Sequence, residues 1–168
     1  IKRVDLLIQA CALLKTEGCD LKLLIVGDGI MLGELQKYAI AQGVDAYITW
    51  AGECYDEEVI ARFFRMSKFC ISPGNIGLMA MHALYNDTPV IIHSDMRYQM
   101  PEAEAILDGV NGFHFKYNSV RDLADTINRA LSADYDSLSK ACFPSTKNYC
   151  PSKQAEVFWE SVSDLCVR

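Results

Sequence analysis

Apolar positions along this chain switch repeatedly between two spacings. In residues 4–14, Leu7, Ala10, Cys11 and Leu14 recur at helical intervals, and Gly18 supplies a stop. Residues 21–26 (LKLLIV) then form a short apolar run halted by Gly27-Asp28-Gly29, the pattern of a buried strand. A helix is predicted over 31–42, closed by Gly43, and a strand over 46–51, ended by Gly52. Asp56 suits an N-cap for a helix reaching residue 66. A strand over 68–72, a helix over 76–85 introduced by Pro73-Gly74-Asn75, and a strand over 89–93 (PVIIH) follow.

Beyond residue 100 the pattern loosens. Residues 101–107 predict a short helix, and the turn pairs Asp108-Gly109 and Asn111-Gly112 precede a short strand over 113–115. Ser119 suits the cap of a helix over 120–131. The polar stretch 132–149 reads as a surface connection. In the C-terminal region 151–168, Pro151 precedes an amphipathic helix over 153–166 with Ala155, Phe158, Trp159 and Val162 on one face. Strand and helix alternate about five times, and the strands are continuous apolar runs. That combination predicts a doubly wound α/β fold, a parallel sheet covered on both faces. Ligands of such sheets bind beyond the carboxyl ends of the strands. The loops at 27–30, 52–55, 73–77 and 94–101 are therefore the candidate site.

Composition narrows the function classes. The 168 residues are 51% apolar and suit one globular domain over 1–168. A net charge of −6 argues against nucleic acid and against this piece being a membrane-docking surface. No apolar run approaches the ~20 residues of a membrane span, and no signal-peptide pattern is visible. Because helical spacing starts at once, upstream sequence is expected. Seven cysteines without a C-x-x-C pair, and only three histidines, predict no zinc site and a cytoplasmic location. Cys11 and Cys70 lie in apolar segments and read as small core residues.

Few residues offer chemistry. The segment from Ser72 to Leu78 joins strand to helix without bulky side chains, so its backbone N–H groups suit a phosphate. A tight turn without ligand accounts for the same residues. Gly27-Asp28-Gly29 begins a dinucleotide fingerprint, but Leu32 stands where the third glycine belongs, and an oxidoreductase reading rests on that pair alone. His82, five residues after Gly77, is either a structural helix residue or a neighbour of the phosphate loop. Glu102 and Glu104, two apart, do not share a helix face and make a poor acid/base pair. Lys2 and Arg3 either neutralise a diphosphate or begin a helix. Trp50, at a strand end, reads as core.

The order of these motifs resembles a known family. VGDG, an aromatic strand ending in glycine, a strand running into P-G-x-x-G-L, then PVI and E-x-x-x-D-G-x-x-G are together similar to the C-terminal domain of retaining GT-B glycosyltransferases (glycosyl transferases group 1, family 4-like). The resemblance implies a Rossmann-like donor domain that binds a UDP- or GDP-sugar, without metal or cofactor. It implies transfer to a glycan or lipid-linked saccharide, a role in polysaccharide biosynthesis, and an N-terminal domain able to bring the enzyme to the membrane periphery. Lys2 matches the family's diphosphate-binding lysine. Gly27 and Gly29 match glycines beside the nucleotide, and Gly52 and Glu53 a loop facing the base. Gly74, Asn75, Ile76, Gly77 and Leu78 match the loop whose amides hold sugar and diphosphate.

Two departures stand out. The family's two glutamates, eight residues apart, are here Gly74 and His82. Glycine cannot make the donor-sugar contact, whereas a neutral imidazole still offers one acceptor to a ribose hydroxyl. The family's first strand, which ends in Gly-Arg and lies mid-sheet, has no counterpart here. No catalytic residue is assigned. The departures keep open a non-catalytic GT-B-like binding domain, and the chain alone is expected to be inactive.

Overall fold

The computed structural model describes residues 2–150 and, beyond them, 152, 153, 155, 156, 158, 159 and 162. Helix α1 (Val4–Thr16) buries Leu6, Leu7, Ile8, Ala10, Cys11 and Leu14, and gives way to Gly18 at φ 82°. Strand β1 (Leu23–Val26), helix α2 (Leu32–Ala41), strand β2 (Ile48–Gly52) and helix α3 (Glu57–Met66) follow as the spacing predicts. The Asp56 carboxylate accepts from the amides of Glu58 and Val59, which fixes the start of α3. Strand β3 (Cys70–Ser72), helix α4 (Met79–Tyr85), strand β4 (Val90–His93), strand β5 (Gly112–Phe115) and helix α5 (Val120–Leu131) complete the alternation. Ser119 caps α5 through the Asp122 amide. The segment Pro101–Ala105 is 3-10 rather than α-helical.

All strand pairs are parallel, as expected of an α/β fold, but they form two sheets. β1 pairs with β2, and β4 lies between β3 and β5. β1 and β3 do not pair. Helix α1 spans this seam: its apolar face joins Leu23 and Ile48 of the small sheet to Ile91, Phe113 and Phe115 of the larger one in a single core. A second core on the other face of the larger sheet combines α4 residues Ala80, Ala83 and Leu84 with Val90, Ile92, Ala103, Ala105 and Ile106.

Burial follows from this division. Every residue of β4 is buried, as a central parallel strand requires. β1 was expected to be buried on both faces. Only Leu23 is, while Leu24 and Ile25 are half-buried and Val26 is 41% exposed. Trp50 is half-buried and packs against the α1 core.

The stretch 132–149 is not a surface connection. It contains helix α6 (Tyr135–Ser145), capped by Asp134 on the Ser137 amide, with Leu138 and Cys142 buried four residues apart. The helix forms despite Pro144, which lies in its last turn. Cys142 Sγ there is held by the Leu138 carbonyl, and burial pushes the thiol up to about 12. The C-terminal helix predicted over 153–166 falls mostly outside the described residues; Phe158 and Trp159 within it are 64% and 67% exposed. Among the described residues no helix is long and apolar enough to cross a membrane.

Candidate functional site at the strand ends

The loops at the carboxyl ends of β3 and β4 meet the start of α1, and their backbone groups are largely spoken for. Gly74 donates its amide to the Lys2 carbonyl at 3.1 Å, and the Lys2 ammonium donates to the Asn75 carbonyl at 2.8 Å. Lys2, chosen on family resemblance 72 residues upstream of Gly74, thus lies against the glycine loop. From the other side, the Ile76 amide donates to Gln99 Oε1 at 3.0 Å, and Gln99 Nε2 donates to the Gly74 carbonyl at 3.4 Å. Asn75 Nδ2 donates to the Tyr98 carbonyl at 3.4 Å. Ile76 as a whole is 1% exposed and belongs to the core under α4, so its amide is buried beneath the Gln99 carboxamide that accepts from it. Gly77 adopts φ 56°, a left-handed conformation that glycine accepts without strain, and Leu78 is 66% exposed.

Arg3 does not share the site with Lys2. It stands in the left-handed region at φ 52°, its guanidinium pairs with Asp5 at 2.9 Å, and it hydrogen-bonds the Asn118 side chain. The hydrogen bond to Asp5 raises the Arg3 pKa and lowers that of the carboxylate. Arg3 therefore serves the helix start. His82 lies on an exposed face of α4, with Nδ1 3.8 Å from Glu57 Oε2 at the beginning of α3. Glu104 is exposed, whereas Glu102 Oε2 is buried without a partner among the described residues.

The remaining candidates form a second group. Gly27, at φ 128°, donates to the Gly52 carbonyl at 2.7 Å, which ties the ends of β1 and β2. Gly29 donates to Asp28 Oδ1 at 2.6 Å, and Ile30 is fully exposed. The charge of Glu53 pushes the neighbouring Tyr55 phenol up. No hydrogen bond joins this group to the Gly74–Gly77 loop among the described residues. An open groove of about 760 Å³, lined by Gln9, Leu13, Tyr38 and Gln42, lies toward the far ends of α1 and α2 and meets none of these loops.

Sequence patterns gave no sign of two features. Gln99 carries no motif; only the span 94–101 as a strand-end loop pointed near it. His93 closes β4 with 0% exposure, its ring 4.7 Å from that of Tyr117, which stacks on Tyr98 at 4.8 Å. Neither His93 nitrogen has a partner among the described residues. Burial lowers its pKa; Asp95 opposes that shift and His114 adds to it. The folded state thus binds this proton less readily than the unfolded chain, whose histidines titrate near about 6.5. His93 then contributes no penalty above that pH and destabilises as pH falls through it. Melting temperature is expected to drop between pH 7 and pH 5, and His93→Phe to flatten part of that slope. An unchanged slope in the variant would remove His93 as its source.

The family described as "Glycosyl transferases group 1" matches residues 1–147. No curated protein matches the sequence significantly. Among solved structures, a mutant of S. aureus TarM in complex with fondaparinux, α-GlcNAc-glycerol and UDP superposes with a TM-score of 0.80 at 20% identity, over 95% of this chain and 32% of that one. Anabaena HepE in complex with UDP gives 0.79 at 18% identity, over 97% and 45%. The sucrose-phosphate synthase of Thermosynechococcus elongatus gives 0.76 at 18%, over 98% and 43%. The chain spans about a third to under a half of the length of these structures, and the likeness to them is one of fold.

Proposed function

From the premise that this chain belongs to the glycosyl transferases group 1 family, we propose that it is the donor-binding, C-terminal domain of a two-domain, retaining GT-B hexosyltransferase. The donor is a UDP- or GDP-sugar and the acceptor a hydroxyl of a glycan or lipid-linked saccharide. The observation that carries this reading is the meeting of Lys2 with the Gly74–Gly77 loop at the carboxyl end of β3. A flexible ammonium and backbone amides beside it suit a diphosphate, whose charge grows as the glycosidic bond breaks. The UDP bound by TarM and HepE supports the same ligand class.

In this scheme Lys2 neutralises the diphosphate and the amides of Asn75, Ile76 and Gly77 orient it. Leu78 stands beside the donor sugar. His82 accepts from a ribose hydroxyl, and Gly27, Gly29, Gly52 and Glu53 border the base. Neither metal nor cofactor is required. The acceptor and the opposing wall of the cleft come from an N-terminal domain, and the enzyme works in the cytoplasm or at the membrane periphery.

Gly74, where the family has a glutamate, favours a second reading, a binding domain that has lost its chemistry. A thermal-shift series on the full chain with UDP-glucose, UDP-N-acetylglucosamine and GDP-mannose tests the donor assignment. At a ligand concentration of 100 Kd the stabilisation is about 2.7 kcal/mol. A response to NAD alone, or to no nucleotide-sugar, overturns it. Detectable sugar transfer by the full-length protein, N-terminal domain included, excludes the non-catalytic alternative.

A further inference from the structure

We propose that Gln99 is a latch on the donor loop, competing with the nucleotide-sugar for the Ile76 amide. This rests on the donor-binding reading above. The Gln99 carboxamide bridges the loop much as a neighbouring strand would: its oxygen accepts from Ile76 N–H at 3.0 Å, and its nitrogen donates to the Gly74 carbonyl at 3.4 Å. The adjacent Tyr98 carbonyl accepts from Asn75 Nδ2 at 3.4 Å, so two consecutive residues hold three consecutive ones. Opposite them, Lys2 takes the Gly74 amide and the Asn75 carbonyl. Gly74 N–H and C=O, Asn75 C=O and Ile76 N–H are therefore all engaged before any ligand arrives.

The strap that delivers Gln99 is itself fixed. Asp95 accepts from the Arg97 amide and pairs with its guanidinium at 2.7 Å, which closes the turn Met96–Tyr98. Tyr98 stacks on Tyr117. With the backbone held, the freedom that remains lies in the Gln99 side chain, which is only half-buried.

An amide N–H has one proton to give, and a phosphoryl oxygen is the stronger, charge-assisted acceptor. A donor that uses Ile76 N–H must turn the carboxamide out, and the lost neutral hydrogen bonds are subtracted from its affinity. Gln99 consequently sets the threshold at which the loop yields to a nucleotide-sugar, while keeping the buried Ile76 amide satisfied in its absence.

Three proteins test this: the full chain, Gln99→Ala and Gln99→Glu, each titrated calorimetrically with UDP-glucose and GDP-mannose. A latch predicts that Ala binds about 2–10-fold more tightly than the parent, the worth of one neutral hydrogen bond. Glu is predicted to bind at least about tenfold more weakly, because a carboxylate both grips the amide and repels the diphosphate. A residue that merely shapes the loop gives the opposite order, with Ala weakest and Glu near the parent. Hydrogen exchange at Ile76 supplies a readout that needs no ligand: protected in the parent, exposed in Ala, and protected again when the nucleotide-sugar is saturating. Ala binding equal to or weaker than the parent, or an Ile76 amide indifferent to residue 99, overturns the latch and leaves donor binding standing. Absence of binding in all three proteins overturns the donor reading and the latch together.

Discussion

Gly112→Ala should destabilise the protein by on the order of 3 kcal/mol or more, among the largest effects expected of any single methyl group here. A Cβ at Gly112 would sit 2.1 Å from the Val90 carbonyl oxygen and 2.8 Å from Ile106 Cγ2. The first neighbour is backbone in the middle of a sheet and cannot turn aside. Relief requires β5 to retreat from β4, and the two are paired from Val90–Gly112 to His93–Phe115. Retreat would also loosen Phe113 and Phe115 from the α1 core. Urea unfolding, followed by its midpoint at constant m-value, measures the loss. A change below about 1 kcal/mol would mean that the strand yields more easily than its ladder implies.

The second large effect is on binding. Gly77→Val is expected to weaken UDP-sugar affinity by about 10- to 150-fold, the worth of one charge-assisted hydrogen bond. Space is not the obstacle, since an added Cβ lies 3.6 Å from Asn75 Oδ1 and 4.0 Å from Met100 Cγ, ordinary contact distances. The backbone is: φ 56° is left-handed, where a β-branched residue is strained. The peptides on either side of residue 77 rotate to escape, and the amides of the loop turn with them. Gly77→Asn is the control, because asparagine tolerates this conformation. It should retain affinity in the same calorimetric titration. Equal affinity for the valine variant would take the loop out of the donor site.

How far the sequence foretold this structure depends on where each element lies. β4 was legible because a strand buried on both faces is apolar throughout, and VIIH contains nothing that contradicts it. α3 and α5 were legible to the residue at their starts, since Asp56 and Ser119 act locally. α6 was missed because Tyr135, Leu138 and Cys142 make a thin apolar stripe among serines, an aspartate and a lysine, in front of a proline. Its burial depends on α4, far away in sequence. The partial exposure of β1 was likewise not written in LLIV, which is apolar whether or not another element closes over it.

The candidate site divides in the same way. Glycine loops announce themselves by residue type, and family resemblance supplied Lys2 as a partner for one of them. Gln99 could not be found so, because a glutamine in a loop has no pattern until folding sets its amide beside Ile76. The unpartnered His93 is equally silent in sequence, since histidine ends many strands and only its fully buried setting makes it unusual.

The seam between the two sheets bears on how the candidate site is assembled. Among the described residues no ladder hydrogen bond crosses from β1–β2 to β3–β4–β5, and the two sheets meet through the side-chain packing of the core that α1 shares with both. Apolar packing is non-directional and tolerates small sliding far better than a row of aligned N–H···O bonds does. The Gly27–Gly52 pair rides on one sheet, and the Gly74–Gly77 loop with Gln99 rides on the other. The two halves of the candidate site are thus carried on different sheets, and α1, packed against both, is the element that sets one beside the other.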